Sequence, residues 1–533
     1  MSNPTSASLV AVLPILLLYL YRRLFSGPRY RLPLPPGPKG LPIVGSLFDS
    51  SESIHSNDKS TKTHKPIWER YLDLGKRFNS DIVHINVLGD HMVVLNSANA
   101  TNELLEKRSA NYSSRPAYHM LNGLCGWGWN FAHMRYSDYW RLHRKTFHQY
   151  FQSRALDKFH PFHRKAVLEL VESLMRSSKN GETEFKGPLQ RYAGSIILRA
   201  TYGITTREEQ DRYVSLVNRA VIGIVHAGNH GSYLVDRLPL LKWIPSWFPG
   251  AGFKRNAKIW AENSTILRDE PWEKLQASCA AGTAIPCFAT ENLNKLKRSD
   301  TKMEEVIKNC TSFAYLAATD TTVSLLLSTV LSLLHNPGVQ ARAQKELDMV
   351  TGTSRLPDFD DRENLPYIEA IFLEGVRIHQ VLPLVVPHHS IEDDVYEGYF
   401  IPKGTTVVGN SWAILHDEVA YPDPFKFNPE RFMKKEGEEL PPSPLLFAFG
   451  YGRRQCPGRP FAADTAWLAI ACLLATFNIK NAMDHNGNET KAEIEYTEGM
   501  ISHPKDFKCQ FVPRFSEPLE NTKMTFQHGE IAD

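Results

Sequence analysis

The stretch FAFGYGRRQCPGRPFA, residues 447–462, places a single cysteine, Cys456, among three glycines and three arginines. Glycine lets a backbone turn tightly and approach a flat object closely. Backbone N–H groups, cationic side chains and a helix N-terminus all stabilise a thiolate, and the helical pattern that begins near Phe461 supplies the last of these. The segment is therefore typical of a stabilised thiolate, whereas most free cysteines are only small buried hydrophobes.

Spacing alone leaves three interpretations of Cys456: a nucleophile, a redox thiol or an axial metal ligand. A cysteine nucleophile needs a histidine base, and residues 447–462 contain no histidine. The chain has seven cysteines, which are scattered and form no CxxC pair. That odd number and wide spacing argue against a disulfide framework and against a structural zinc site.

Five positions of this segment fit the pattern Phe-x-x-Gly-x-Arg-x-Cys-x-Gly, at Phe449, Gly452, Arg454, Cys456 and Gly458. The segment closely resembles the heme-thiolate loop of the cytochrome P-450 family. The resemblance implies a mainly α fold with a minor β component, in which a long central helix lies over a heme. The cofactor would be heme b, with the Cys456 thiolate as axial ligand of the iron and with Phe449 and Arg454 at the cofactor.

Two further segments resemble a structural network of the same family. EGVR contains Glu374 and Arg377, which share one helix face at i,i+3 spacing. Alone, such a pair is usually a solvated surface ion pair. The segment NPERF then supplies Arg431 where the family completes a Glu-Arg-Arg network beside the cofactor. The resemblance thus implies a structural role for these three residues.

The longest apolar stretch, Met303–Pro337, predicts one buried central helix. Asp320 near its centre is expensive in lipid, so a core helix is favoured over a membrane span. Residues 317–322, AATDTT, resemble the family's oxygen-binding segment, with Ala318 where the usual residue is glycine. The resemblance implies that Asp320 and Thr321 are catalytic and deliver protons; otherwise they would be satisfied polar groups at a helix defect.

Other cofactor contacts follow from the resemblance. WRLHR, residues 140–144, matches the family's Trp-x-x-x-Arg helix, so Trp140 and Arg144 would face a heme propionate. His388 in VPHHSIEDD is a further propionate partner by position, and its neighbour His389 is an equally polar candidate.

The remaining patterns complete the fold class. Residues 81–97, DIVHINVLGDHMVVLNS, predict a β-hairpin around a Gly-Asp turn. The chain is then mainly helical from about Ala98 to Asn336. Strand-like pieces follow in VYEGYFIPKGTTVVGN before the chain returns to a helix after Cys456.

The N-terminus predicts a membrane anchor. Residues 7–21, ASLVAVLPILLLYLY, are apolar, and two arginines follow them directly. A cleaved signal peptide would instead carry its positive charge before the apolar run. We expect residues 1–25 to be a single-pass anchor in the endoplasmic reticulum membrane and 26–47 a proline-rich connector. Residues 48–533 would then form a cytosolic catalytic domain.

Composition and resemblance together indicate the partners. Lysine and arginine outnumber the acids by only 61 to 58, which gives no support to nucleic-acid binding. The resemblance implies O2 and an NADPH-dependent flavoprotein reductase. Candidate docking cations are Arg141, Lys145, Arg453 and Arg459, which are otherwise ordinary solvated charges.

The pocket segments by resemblance are residues 120–131, 313–317, 380–386 and 500–501. They are rich in Leu, Val, Met and Trp and favour a lipophilic small-molecule substrate. The apolar segment 238–253 either enters the membrane surface or packs on the core.

The chain is thus expected to be a heme-thiolate monooxygenase that hydroxylates or epoxidises a lipophilic molecule. The sequence resembles fungal members of the family that modify secondary metabolites. This resemblance implies terpenoid or other polycyclic scaffolds as substrates. A heme-thiolate isomerase, a peroxygenase-like enzyme without a reductase and a non-catalytic heme-binding protein are the alternatives.

Overall fold

The computed structural model describes residues 32–39, 65–179, 182–205, 212–296, 300–352 and 355–515. The predicted anchor lies outside these residues, and the connector is described only over 32–39. The described chain divides into two units. The smaller unit comprises the described residues up to Pro116 together with Pro387–Asn410, and the larger unit comprises the rest.

Helices dominate the described residues, and the prediction of a mainly α fold with a minor β component is confirmed. The α-helices are α1 (Ile67–Phe78), α2 (Ala98–Thr101), α3 (Ser109–Tyr112), α4 (Asp138–Phe151), α5 (His160–Ser177), α6 (Lys186–Tyr202), α7 (Arg212–Ala227), α8 (Leu234–Arg237), α9 (Gly252–Ala280), α10 (Phe288–Leu293), α11 (Thr301–His335), α12 (Pro337–Thr351), α13 (Pro366–Ile378), α14 (Ser411–Leu415) and α15 (Arg459–Thr476). The strands are β1 (Ile82–Val87), β2 (Asp90–Leu95), β3 (Ser178–Lys179), β4 (Glu182–Thr183), β5 (His388–His389), β6 (Asp394–Tyr396), β7 (Tyr399–Ile401), β8 (Thr406–Gly409), β9 (Phe477–Met483), β10 (Glu489–Thr490) and β11 (Cys509–Pro513).

The smaller unit is built on a four-stranded sheet in the order β1-β2-β8-β5. The first two strands form the predicted hairpin, with Ile82 opposite Leu95. Leu88 and Gly89 at its turn have φ of 54° and 81°, the two consecutive left-handed residues of a tight hairpin turn. Strand β8 runs parallel to β2, so the last part of this sheet is added from a distant part of the chain.

The described part of the connector is extended, as its prolines predict. The carbonyl of Pro36 accepts a hydrogen bond from the His84 amide at 2.9 Å, and the carbonyl of Pro33 accepts one from Phe400 at 2.8 Å. A Cβ on Gly37 would lie only 1.8 Å from the His84 carbonyl oxygen, so only glycine fits there. The segment is therefore fastened to the smaller unit and is more than a loose spacer.

The larger unit is organised around α11, which packs against α4, α6, α9 and α15. The helix begins where the Asp300 carboxylate accepts the Met303 amide at 3.0 Å, a standard N-cap. Within the described residues, Thr301–Leu334 is the one helix apolar and long enough to cross a membrane, and 78% of its apolar window is buried in the protein. The interpretation of this helix as a central core element is thus confirmed.

Candidate active site

Cys456 sits in a loop whose backbone folds back on itself. Its amide donates a hydrogen bond to the carbonyl of Phe449 at 2.8 Å. Between these residues, Gly450 and Gly452 have φ of 77° and 56°, a region that favours glycine. The glycines of the motif therefore make the fold-back possible, and the fold-back fixes the position of the thiol.

Opposing effects act on the Cys456 thiol. Burial among protein atoms raises its pKa, whereas the Gly458 amide and the charges of Arg144 and Arg459 lower it. Helix α15 begins at Arg459, so the thiol lies at a helix N-terminus. The side chain is nevertheless solvent-accessible. The thiol can therefore be reached by a ligand, and a metal ion bound to it would deprotonate it. These residues fit a thiolate that is an axial ligand.

Three predicted cofactor residues meet next to this loop. The Arg454 guanidinium lies 4.0 Å from the ring centroid of Trp140, a close cation–π contact. Arg144, one turn further along α4, donates from Nη1 to the carbonyl of Gln455 at 2.5 Å. Burial lowers the pKa of Arg144, and the nearby Cys456 thiolate raises it. The structure thus brings Trp140, Arg144 and Arg454 together at the cysteine.

The middle of α11 carries a stripe of accessible side chains. From Asn309 to Leu334 the helix is buried except at five residues that are partly accessible, namely Phe313, Ala317, Ala318, Asp320 and Thr321. Their spacing of i, i+4, i+5, i+7 and i+8 puts them on one helix face. Because the helix is otherwise enclosed by protein, we interpret this face as one wall of an interior cavity. We name it the α11 stripe.

The two predicted catalytic residues of the stripe have different partners. The Thr321 hydroxyl donates to the Ala317 carbonyl at 2.6 Å. One carboxylate oxygen of Asp320, Oδ1, lies 3.2 Å from Nε2 of His503. The other oxygen, Oδ2, is buried and has no hydrogen-bond partner among the described residues. His503 was not anticipated from the sequence, because no local pattern marks it.

Glu374, Arg377 and Arg431 form the predicted network. Arg377 binds both carboxylate oxygens of Glu374, at 2.7 and 2.8 Å. Arg431 donates to the same carboxylate at 3.2 Å, and the Asn428 amide does so at 2.8 Å. Glu374 and Arg377 are fully buried. The three side chains contact one another, and their structural role beside a cofactor stays a prediction.

His388 belongs to the smaller unit. It is buried, and its Nδ1 donates to the Tyr112 carbonyl at 2.8 Å. It also pairs with Val407 in the sheet. These contacts give the ring a fixed orientation within its unit, and its proposed contact with a propionate stays a prediction.

The predicted pocket segments meet in pairs. The rings of Phe131 and Phe313 are in edge-to-face contact, with centroids 4.5 Å apart. The Ser502 amide, directly after residues 500–501, donates to the Val381 carbonyl at 2.8 Å. Segments 120–131 and 313–317 are thus in direct contact within the larger unit, and the residue that follows segment 500–501 is hydrogen-bonded to segment 380–386.

Among the described residues, no group of three or more His, Cys, Asp or Glu side chains is placed to hold a metal ion. A single thiolate suits a metal whose other ligands come from a prosthetic group.

Comparison with known proteins decides the family. The family model for cytochrome P450 matches residues 35–511. The chain belongs to the cytochrome P450 family. A cytochrome P450 monooxygenase of Armillaria gallica is 39% identical over 97% of this chain and 98% of its own length. Tryptamine 4-monooxygenase of Psilocybe cyanescens is 36% identical over 92% of this chain and 94% of its own length. A zebrafish cytochrome P450 solved with abiraterone has the same fold, with a TM-score of 0.69, 23% identity, and coverage of 84% of this chain and all of that structure.

This cytochrome P450 is accordingly a monooxygenase that carries heme with a cysteine thiolate as axial ligand, as predicted. Cys456 is the cysteine that fits, because it is accessible in a loop of the family's pattern. The other cysteines that are buried, such as Cys310 and Cys472, are in apolar surroundings that raise the pKa of their thiols well above the usual value.

Proposed function

We propose that this cytochrome P450 inserts one oxygen atom from O2 into a neutral, lipophilic fungal metabolite, by hydroxylation or epoxidation. A terpenoid or other polycyclic scaffold is the proposed substrate, and a flavoprotein reductase supplies electrons from NADPH. The observation that carries the proposal is the α11 stripe, in which Asp320 and Thr321 stay accessible on an otherwise buried helix. An acid and an alcohol at that place are suited to moving protons into a closed cavity.

When bound, the heme supplies the iron chemistry that reduces and splits O2, and the Cys456 thiolate favours O–O cleavage. The protein's own residues orient the substrate, exclude water and move protons. We assign heme carboxylate binding to Trp140 and Arg144. Asp320 holds a proton at its carboxylate, and Thr321 passes it on once its hydroxyl leaves the Ala317 carbonyl.

The substrate class follows from the pocket segments. Residues 120–131, 313–317, 380–386 and 500–501 contain no Asp, Glu, Lys or Arg. A protonated amine would find no counter-charge in these segments, which makes its burial against them costly. The acid on the neighbouring α11 stripe, Asp320, is assigned to proton delivery. One relative is named for action on tryptamine, so an indole amine is the natural second probe. The absence of an acid from these four segments favours a neutral substrate here.

Electron delivery is assigned to a cationic surface at residues 136–145 and 453. Arg453 donates to the Tyr136 hydroxyl at 2.9 Å, and Arg141 lies 5.4 Å from the same ring. Both arginines are exposed, as is Lys145. Such a surface complements an acidic reductase.

Membrane attachment is assigned to the N-terminal anchor and to segment 238–253. Within that segment Trp243 and Trp247 are 75% and 77% exposed. Tryptophan is enriched at membrane–water interfaces. The anchor itself lies outside the described residues, and we propose an endoplasmic reticulum location with the catalytic domain in the cytosol.

The test is a carbon monoxide difference spectrum of the reduced protein in membranes, followed by substrate titration. We expect the strongly red-shifted Soret band of a thiolate complex, its loss in Cys456→Ala, and its retention in Cys279→Ser, where the cysteine is also exposed. Terpenoids and tryptamine are then compared by the spectral change on binding and by product formed with reductase and NADPH. Turnover with peroxide alone would favour a peroxygenase, and rearrangement without NADPH use would favour an isomerase. Binding of tryptamine in preference to the neutral compounds would overturn the proposed substrate class.

A further inference from the structure

His503 makes a contact that the proposed mechanism does not yet use. Its Nε2 lies 3.2 Å from Oδ1 of Asp320, although the two residues are 183 positions apart in the chain. The side chain of His503 is 24% exposed and that of Asp320 12%. The imidazole therefore touches the buried acid and is itself reached by solvent.

The backbone around His503 is fixed by several hydrogen bonds. The carbonyl of Ser502 accepts from the Ser324 hydroxyl at 2.6 Å, and Ser324 lies one turn beyond Asp320 on α11. The His503 amide donates to the Thr497 hydroxyl at 3.0 Å, and its carbonyl accepts from the Thr497 amide at 2.8 Å. The contact with Asp320 thus belongs to an anchored segment.

The two oxygens of Asp320 are not equivalent. Oδ1 faces His503, whereas Oδ2 is buried without a hydrogen-bond partner among the described residues. A buried carboxylate oxygen of this kind demands a proton or an ordered water molecule. Asp320 can therefore take up a proton from His503 at Oδ1, while Oδ2 needs a further partner that the described residues do not supply.

Of His503 and its neighbours His379 and Lys505, His503 is the one suited to donate a proton to Asp320. His379 also contacts the Ser502 carbonyl, at 3.3 Å, but burial, with a smaller contribution from the charge of His503, lowers its pKa to about 3. His379 is therefore neutral at physiological pH and has no proton to spare. The Lys505 ammonium is paired with the Glu495 carboxylate at 2.7 Å on the exposed side of the same segment.

We propose that His503 is the residue that recharges Asp320 with protons from solvent. The proton on Nε2 of the imidazolium passes to Oδ1, which leaves a neutral imidazole and a carboxylic acid. Asp320 then releases one proton toward the cavity and returns to the carboxylate, and the imidazole regains one proton from water. No electrons move in these steps. The inference rests on the proposed role of Asp320 and Thr321 in proton delivery.

The experiment uses the full chain in membranes with a purified NADPH-dependent reductase and needs no organic substrate. His503→Gln keeps an N–H donor for Asp320 but cannot carry a proton. We expect NADPH oxidation to slow about tenfold and the peroxide released per NADPH to rise. This slowing is smaller than the roughly 10²- to 10⁴-fold typical of general acid–base catalysis, because water can replace the imidazole in part. The solvent deuterium isotope effect should rise as well. His485→Gln, the same exchange at an exposed histidine, should match the wild type.

Two comparisons make the outcome decisive. Asp320→Asn should slow NADPH oxidation and raise peroxide release as His503→Gln does. The double variant should not be slower than Asp320→Asn, because both substitutions act on one proton path. Additive losses, or wild-type rates in His503→Gln, would overturn the inference. A double-mutant cycle on thermal unfolding, with the same single and double variants, measures the contact between His503 and Asp320 independently of activity. If the two substitutions show no coupling in stability, the inference is also overturned.

Failure of the proposed proton delivery by Asp320 and Thr321 would give a different pattern of peroxide release. Thr321→Ala tests proton delivery without touching His503. If Thr321→Ala raises peroxide release and His503→Gln does not, only the role of His503 is wrong. If neither variant changes peroxide release, the proposed proton-delivery role of Asp320 and Thr321 is wrong as well.

Discussion

The guanidinium of Arg144 is bonded to the carbonyl of Gln455, the residue directly before Cys456, at 2.5 Å. This contact joins α4 to the thiolate loop across 311 positions of the chain. The same charge lowers the pKa of the Cys456 thiol. Arg144 is therefore placed to hold the loop and to stabilise the thiolate, in addition to its proposed contact with a heme carboxylate.

Replacing Arg144 should weaken heme binding. In Arg144→Ala the Gln455 carbonyl loses its donor and the thiolate loses a nearby positive charge, so we expect less heme per protein and a smaller share of thiolate-type carbon monoxide complex. Arg144→Lys should retain only part of the wild-type heme content and thiolate-type complex, because lysine lacks the planar fork of hydrogen-bond donors of arginine. Heme content and the difference spectrum measure both effects. Lys145→Ala removes one exposed charge from the same helix and should change neither the heme content nor the difference spectrum. Equal losses of heme in Arg144→Ala and Lys145→Ala would refute a specific role of Arg144.

The Glu374 network predicts a large loss of stability. Glu374→Gln keeps the shape but leaves the buried Arg377 and its neighbour Arg431 without a counter-charge. Breaking a buried ion pair in this way costs about 3–5 kcal/mol. Glu369→Gln on the same helix breaks a part-exposed pair with Arg362, 2.9 Å long, and should cost about 0–1 kcal/mol. Urea unfolding followed by the heme signal measures both, and similar midpoints for the two variants would contradict the prediction.

Thr321 should affect coupling rather than heme binding. We expect Thr321→Ala to keep the thiolate spectrum while more NADPH is spent on peroxide, because the hydroxyl that passes the proton is gone. Thr321→Ser keeps the hydroxyl and should restore most of the coupling. Product and peroxide are measured per NADPH consumed. Unchanged coupling in the alanine variant would remove Thr321 from the proton path.

Local chemistry explains which parts of the site could be predicted from sequence. The glycines that allow the Cys456 loop, the β-hairpin within residues 81–97, and the span of α11 all follow from residues close together in the chain. The hairpin turn itself lies at Leu88 and Gly89, one residue before the predicted Gly-Asp pair. Long-range contacts carry no such signal. Arg454 was predicted at the cofactor, yet the structure also places its guanidinium over Trp140, and its Nη2 donates to the Met134 carbonyl at 2.6 Å.

The same limit applies to the acid on α11. Asp320 could be predicted because AATDTT, residues 317–322, resembles the family's oxygen-binding segment. Its partner His503 could not, since nothing near residue 503 distinguishes that histidine from the 19 others in the chain. Only folding of the C-terminal segment onto the helix creates the pair.

Buried histidines predict acid sensitivity of the fold. Among the described residues, burial is the main cause that lowers the pKa of several imidazoles, most strongly to about 4 for His84 and His163 and to about 3 for His379 and His416. Below the ordinary pKa of 6.5 the unfolded chain therefore binds more protons than the folded one, so stability falls as pH drops from 6.5 to 4. Asp236 opposes this trend, because burial raises its pKa to about 6 and the folded state keeps that proton longer.

The free energy of unfolding, measured with urea from pH 7 to 4.5, should therefore decrease on acidification, by up to roughly 1.4 kcal/mol per pH unit for each such imidazole. His163→Gln removes one of these groups and should flatten the slope by about one proton, even if the variant is less stable at every pH. His485→Gln, at an exposed position, should leave the slope unchanged. Carboxylates with a lowered pKa, such as Asp361, change the free energy of unfolding only below about pH 4. They therefore cannot cause a loss of stability that begins near pH 6.5. Stability that stays constant between pH 7 and 5 would mean that the imidazoles gain protons without unfolding, and hence that water reaches them in the folded protein.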